Sequence, residues 1–167
     1  MYKKILIPID GSKPADKALD HTINLVKSIS GNNKRIEVIT LYVIPELPVP
    51  LGFEKPMRSF KTGETISFSD YVKEIHESMR LNAVKMLSER KKKYESKTNN
   101  AIMIKAEVIV GHGLSISDTI IKFADKEKID LIAIGNVGLS GMSKLKALGS
   151  ISRAIVERSI CPVLVVH

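Results

Sequence analysis

The chain has 167 residues, 44% of them hydrophobic and only 5% aromatic, with no tryptophan. That length favours one domain over two, and so few aromatics argue against a surface that stacks bases or sugars on rings. The net charge of +8 (26 basic and 18 acidic residues) suits anionic partners such as nucleotide, nucleic acid or acidic lipid, but much of the excess falls in "ERKKKYESK" (Glu89–Lys97), which reads as the solvated end of a helix and leaves nucleic acid a poor expectation.

The opening "MYKKILIPIDGS" has an apolar run too short for a signal-peptide core. No run of the chain reaches the roughly 18 apolar residues of a membrane span. "KILIPI" (Lys4–Ile9) is nearly continuous in apolar residues, as a parallel strand covered on both faces would be. After the turn chemistry of "DGSKPAD", Ala15 to Ile29 carries Ala18, Leu19, Ile23, Leu25, Val26 and Ile29 at close to helical spacing, and "SGNNK" ends it. "RIEVITLYVI" (Arg35–Ile44) is β-branched and reads as the second strand. Pro45–Ser69 then holds four prolines and two glycines, long for a connection, and reads as an insertion with no assigned structure.

A helix is expected from about Asp70 to Lys97, with Ser69 or Asp70 as its N-cap. Its stripe of Val72, Ile75, Met79, Ala83, Met86 or Leu87, Arg90 and Tyr94 is core-facing. A strand over Ala101–Val110, a turn at "GHGLSISD", a helix over Ile116–Glu127 and a strand over Asp130–Gly135 follow. After a glycine loop come a helix over Ser150–Arg158 and a last strand, "PVLVVH" (Pro162–His167). This alternation predicts an α/β fold with a doubly wound, open sheet of five parallel strands and helices on both faces. There is no internal repeat. The single cysteine, Cys161, allows no disulfide within the chain; it reads as a small buried hydrophobe, and a reducing cytoplasm is the expected compartment.

In such sheets ligands sit beyond the carboxyl ends of the strands, where strand order reverses. Three strands end in suitable residues: Pro8-Ile9-Asp10, Gly111-His112-Gly113 and Gly135-Asn136-Val137-Gly138. A glycine loop followed by a helix N-terminus at Gly149-Ser150 makes an anion site, with phosphate the natural occupant. Ser150 and Ser152 offer hydroxyls, and Lys144 and Lys146 offer charge. The spacing is neither a Walker A loop nor GxGxxG, so an ordinary βα loop remains the rival. Asp10 reads either as a ligand-facing carboxylate or as a cap, Ser150 as a donor or an N-cap, and His112 as a turn residue. His21, His76 and His167 have no metal spacing, and no Ser/His/Asp set is suggested.

Taken together, "KKILIPIDGS", the strand ending "LYVI", the "VIVG" strand and "IAIGNVGLSGMSKLKALGSISRAIVERSICPVLVV" resemble the universal stress protein family over nearly the whole chain. The C-terminal block is similar to the G-x2-G-x9-G-[ST] motif of the family's ATP-binding branch. It departs in having ten residues, not nine, between Gly138 and Gly149. The resemblance implies a single domain over residues 1–167, Rossmann-like and adenine nucleotide alpha hydrolase-like, with an insertion at about 45–69. It implies ATP as ligand, with Mg2+ or Mn2+ held by the phosphates. Pro8, Ile9 and Asp10 would stand beside adenine and ribose, and the Val43 backbone would meet adenine. Ile134, Gly135 and Gly138 would form the strand end and phosphate loop, with Gly149, Ser150, Ile151 and Ser152 under the phosphates.

The expected role is regulatory or sensory, not enzymatic, with homodimerisation through Val163–Val166. Two alternatives stand beside it. One is a stress protein acting only through protein contacts. The other is an ATP-using transferase or pyrophosphatase, which would want an SGGxDS-like loop after the first strand where this chain has "PIDGSKPAD".

Overall fold

The structure is a computed structural model that describes residues 2–29, 35–50, 52, 53, 55–96, 102–111, 113–139 and 148–167. Its centre is a five-stranded parallel sheet in the order β5-β2-β1-β6-β7. The strands are β1 (Lys4–Pro8), β2 (Ile36–Pro45), β5 (Ile102–Gly111), β6 (Leu131–Gly135) and β7 (Val163–Val166). The helices are α1 (Lys13–Ile29), α2 (Phe68–Glu95), α3 (Ile116–Lys126) and α4 (Ser150–Arg158). The expected fold class is the observed one.

The continuous apolar runs of β1 and β6 are explained by burial on both faces. On one face Ile5, Ile7, Leu131 and Ala133 pack with Ala18, Leu19, Ile23 and Val26 of α1 and Leu87 and Tyr94 of α2. On the other, Leu6, Ile132 and Ile134 pack with Ile120 and Ala124 of α3 and Ile155 of α4. The expected α2 stripe is the packed one, and its two polar members clasp α1. Arg90 donates to both carboxylate oxygens of Asp16, at 2.7 and 3.0 Å, and Tyr94 donates to Asp20. Burial beside that carboxylate pushes the Tyr94 phenol well above its usual range.

Two expectations need correction. The N-cap of α2 is Ser67, not Ser69 or Asp70: Ser67 Oγ accepts the Asp70 N–H at 3.0 Å from an extended residue, so Asp70 lies already in the first turn. Within the insertion, to which the sequence assigns no structure, Met57–Arg58 (β3) and Thr65–Ile66 (β4) pair antiparallel. Two-residue strands carry no periodicity that a sequence can show. Cys161 is half-buried, not buried.

The end of β6 has a strict steric requirement. A Cβ on Gly135 would lie 2.6 Å from the Pro14 carbonyl carbon and 2.8 Å from Pro14 Cβ, so the first turn of α1 rests directly on this strand end. Gly135→Ala is therefore expected to cost about 1–3 kcal/mol by overpacking, measured as a lower urea midpoint at unchanged slope.

At the other end of the sheet the Asp130 carboxylate accepts the backbone N–H groups of Lys3 and Lys4, at 2.8 and 2.9 Å. These bonds, the Lys3 one foremost, hold Asp130 below the usual carboxylate range. A depressed folded-state pKa contributes stability that is present above the unfolded value, about 3.9, and is lost as pH falls through the folded one. Asp130→Asn should flatten that part of the acid-unfolding profile and leave the alkaline side unchanged.

Candidate functional site

At the carboxyl ends of β1, β2 and β6 the sheet opens into a cleft of about 430 Å³. The sheet order places it at the reversal point, because β1 connects outward to β2 while its other neighbour is β6. All eleven residues expected at a site line this cleft: Pro8, Ile9, Asp10, Val43, Ile134, Gly135, Gly138, Gly149, Ser150, Ile151 and Ser152. Lys144, Lys146 and His112 lie outside the described residues.

One wall is apolar. Leu41 and Val43 of β2 and Ile134 of β6 belong to the same packed cluster as Ile120 of α3. Ile116, Val137, Tyr42, Pro45 and Met79 also line the cleft, with Ser12, Ala15 and Leu139. Sequence reasoning missed these residues. Leu41 was reachable by the two-residue alternation from Val43, whereas Met79 was read as core only, because nothing in a helical stripe shows that one of its members stands beside a strand end.

The β2 backbone also presents polar groups here. Leu41 O accepts the Ile9 N–H at 2.8 Å, so the polar groups of Leu41 face β1. Those of Val43, two residues on, face the same way. β1 has ended at Pro8, paired with Leu41, which leaves the Val43 N–H and C=O directed at the cleft without a strand partner.

The opposite end is formed by the loop after β6 and the start of α4. Gly149 is the N-cap, with no side-chain cap bond. The first N–H groups of the helix, on Ser150, Ile151 and Ser152, have no intrahelical acceptor and carry the positive end of the helix dipole. A Cβ on Gly149 would lie 3.3 Å from Val137 Cα, so this glycine serves close packing of the loop. Ser152 Oγ donates to Gly135 O at 2.8 Å and is buried. Its proton is therefore used in tying α4 to β6, not in facing a ligand.

Asp10 joins the two halves. Its Oδ1 accepts the Ser12 N–H at 2.9 Å and its Oδ2 the Leu139 N–H at 3.0 Å. Ser12 Oγ in turn accepts the Ala15 N–H at 3.2 Å and caps α1. The capping role thus falls to Ser12, and Asp10 holds the two loops together. Gly138 is bare because a Cβ there would lie 2.7 Å from Asp10 Oδ2. Each carboxylate oxygen keeps a second lone pair for a ligand hydroxyl. Asp10 is the one charged side chain among the described lining residues, and no group of three or more metal-ligating side chains occurs among the described residues.

The sequence profile of the universal stress protein family matches residues 1–167. A universal stress protein of Methanocaldococcus jannaschii is 32% identical over 167 residues, covering 99% of this chain and 82% of the relative. One from Bacillus subtilis is 30% identical, with full coverage of both chains. Among solved structures, a universal stress protein of Lactobacillus plantarum superposes with a TM-score of 0.78 at 21% identity, covering 99% and 98% of the two chains. Two further structures are complexes. One is a universal stress protein with cAMP (TM-score 0.56, 22% identity, 99% and 97% covered). The other is an Archaeoglobus fulgidus protein with dAMP (TM-score 0.57, 17% identity, 99% and 98% covered).

The Asp10 clamp makes a local prediction. Asp10→Ala should speed hydrogen exchange at the Ser12 and Leu139 amides selectively, while core amides of β1 and β6 keep their protection.

Proposed function

The chain belongs to the universal stress protein family, and from that premise we propose that its cleft binds an adenine nucleotide, ATP foremost, in a regulatory or sensory role. The observation that carries the reading is the pairing of the free Val43 peptide edge with the uncapped start of α4 across one cleft. A peptide N–H and C=O side by side match adenine's neighbouring acceptor and donor. The apolar wall of Ile116, Ile120 and Val137 suits the faces of the base, and Asp10 suits ribose hydroxyls. The N–H groups of Ser150 and Ile151 suit phosphate. Family members of this fold occur in complex with cAMP and dAMP, which supports adenine as the base.

A divalent ion, Mg2+ or Mn2+, would be held mainly by the phosphates, since Asp10 is the single carboxylate among the described lining residues. ATP supplies the phosphate charge. The chain's own part is to orient the base on β2, hold the ribose at Asp10 and meet the phosphates at α4.

Denaturing the purified protein and separating the supernatant should yield adenine nucleotide, and calorimetric titration should give ATP at least about tenfold tighter than GTP, roughly one lost hydrogen bond or 1.4 kcal/mol. Equal affinities would overturn the adenine reading, and no binding of either would overturn nucleotide binding in favour of a member acting through protein contacts alone. Gly149→Val, which forces a side chain against Val137, should abolish binding while circular dichroism stays native.

No arginine, lysine or histidine stands among the described lining residues. With binding but no groups placed for transition-state charge, turnover well under about 1 per second is expected. A steady rate in the usual enzyme range would refute the non-enzymatic reading.

Assembly follows from β7, which is half-buried, wholly apolar and at a sheet edge. We propose that it pairs with β7 of a second copy about a two-fold axis. Val165→Pro should halve the mass seen by light scattering, and Val165→Thr should not.

A further inference from the structure

Among the described residues the opposite edge of the sheet is also unpaired. β5 has ten residues and pairs with β2 on one side only. One of its faces is covered, since Ile102 and Ile104 pack with Leu87 and Tyr94 of α2. The other carries Met103, Lys105, Glu107 and Ile109. Met103, Lys105, Ala106 and Glu107 are exposed, and Met103 leaves 43% of its surface in water.

The direction of the free backbone groups can be read from β2. Thr40 Oγ1 donates to Lys105 O at 3.1 Å, so the Lys105 peptide oxygen faces β2. The polar groups of Ala106, one residue on, then face outward, as do those of Ile104 and Val108.

The sequence of the strand is a palindrome of character about Ala106: Ile-Met-Ile, then Lys-Ala-Glu, then Val-Ile-Val. We propose that β5 is a second self-association edge, pairing antiparallel with β5 of another copy about a two-fold axis through Ala106. This register sets Ala106 opposite its own copy as a hydrogen-bonded pair, with outward N–H and C=O groups matched. Ile104 meets Val108, Met103 meets Ile109, and Ile102 meets Val110.

Lys105 meets Glu107, twice, at non-hydrogen-bonded positions, where Cα atoms come within about 4.5 Å and side chains couple most strongly. Lys105 already has Glu37 of β2, its diagonal neighbour across the pair, at 2.7 Å, so each ammonium would stand between two carboxylates, one on each neighbouring strand. A lone lysine on an edge strand blunts pairing. Followed two residues later by a glutamate, it becomes half of a self-matching pair. A slip by one residue in either direction breaks the Lys–Glu match, so the charges fix the register as well as the partner. Ala106 leaves room at the axis, where two large side chains would meet. The proposal does not depend on nucleotide binding or on the pairing of β7.

The test uses sedimentation velocity on the full chain at micromolar concentration. Glu107→Lys presents Lys105 with a lysine twice over, and Lys105→Glu presents Glu107 with a glutamate. Each variant alone should associate at least about tenfold more weakly than the wild type. An equimolar mixture of the two should recover association as a hetero-pair, because every 105–107 contact is then of opposite sign. Ala106→Pro, which removes an outward N–H that β2 does not use, should weaken association without changing the circular dichroism. Wild type and Glu107→Lys of equal mass, or a mixture no more associated than its components, would overturn the proposal.

Discussion

The arrangement around the cleft depends on one close approach, that of Pro14 to Gly135. With no Cβ between them, the first turn of α1 rests on the end of β6. The same residue accepts Ser152 Oγ through its carbonyl, which brings α4 to the same strand end. The next residue, Asn136, donates to Val166 O and accepts the Gly149 N–H. Two helices and two strands are thus referenced to about two residues of backbone. The distance between the loop after β1 and the loop after β6 is set as a consequence, and only at that distance can a single carboxylate, Asp10, accept amides from both. The cleft is rigid at its floor for reasons of packing, while the polar groups facing into it are mostly backbone.

That division explains what the sequence could reveal. Continuous apolar runs and the alternation of element types gave the parallel sheet, because two-sided burial leaves a clear mark on β1 and β6. The residues that line the cleft could be picked out because they sit at strand ends and in glycine motifs, and the resemblance to a family ordered them. The roles inside the motif were harder. Gly135 and Gly138 looked alike, but one avoids Pro14 and the other avoids Asp10. Ser150 and Ser152 looked alike, but the proton of Ser152 is used by Gly135. The hairpin of β3 and β4 was illegible because two-residue strands show no period, although its own turn bonds and side-chain contacts with α2 order it.

The functional reading and the fold share a physical logic. Peptide groups at a strand end and a helix start are polar, directional and uncharged, so they can recognise a polar ligand without burying an ion. The lysines among the described residues stand outside the cleft lining. On the function proposed above, the effect of this protein on other molecules would come through what its edges and surface contact.

The β3–β4 hairpin stands outside all of this. Ser59 Oγ donates to Glu74 on α2 at 2.7 Å, Phe60 and Phe53 meet Tyr71 and Phe68 edge to face, and the Lys61–Glu77 ion pair lies on the surface. None of the hairpin's residues lines the cleft. Its tip holds Gly63 at φ +76° with open space around it, and exposed tips of this sort tolerate insertion. The protein therefore carries a natural attachment point: a fluorophore or an affinity peptide grafted beside Gly63 would ride on the longest helix, leaving the cleft and both sheet edges unencumbered for observation.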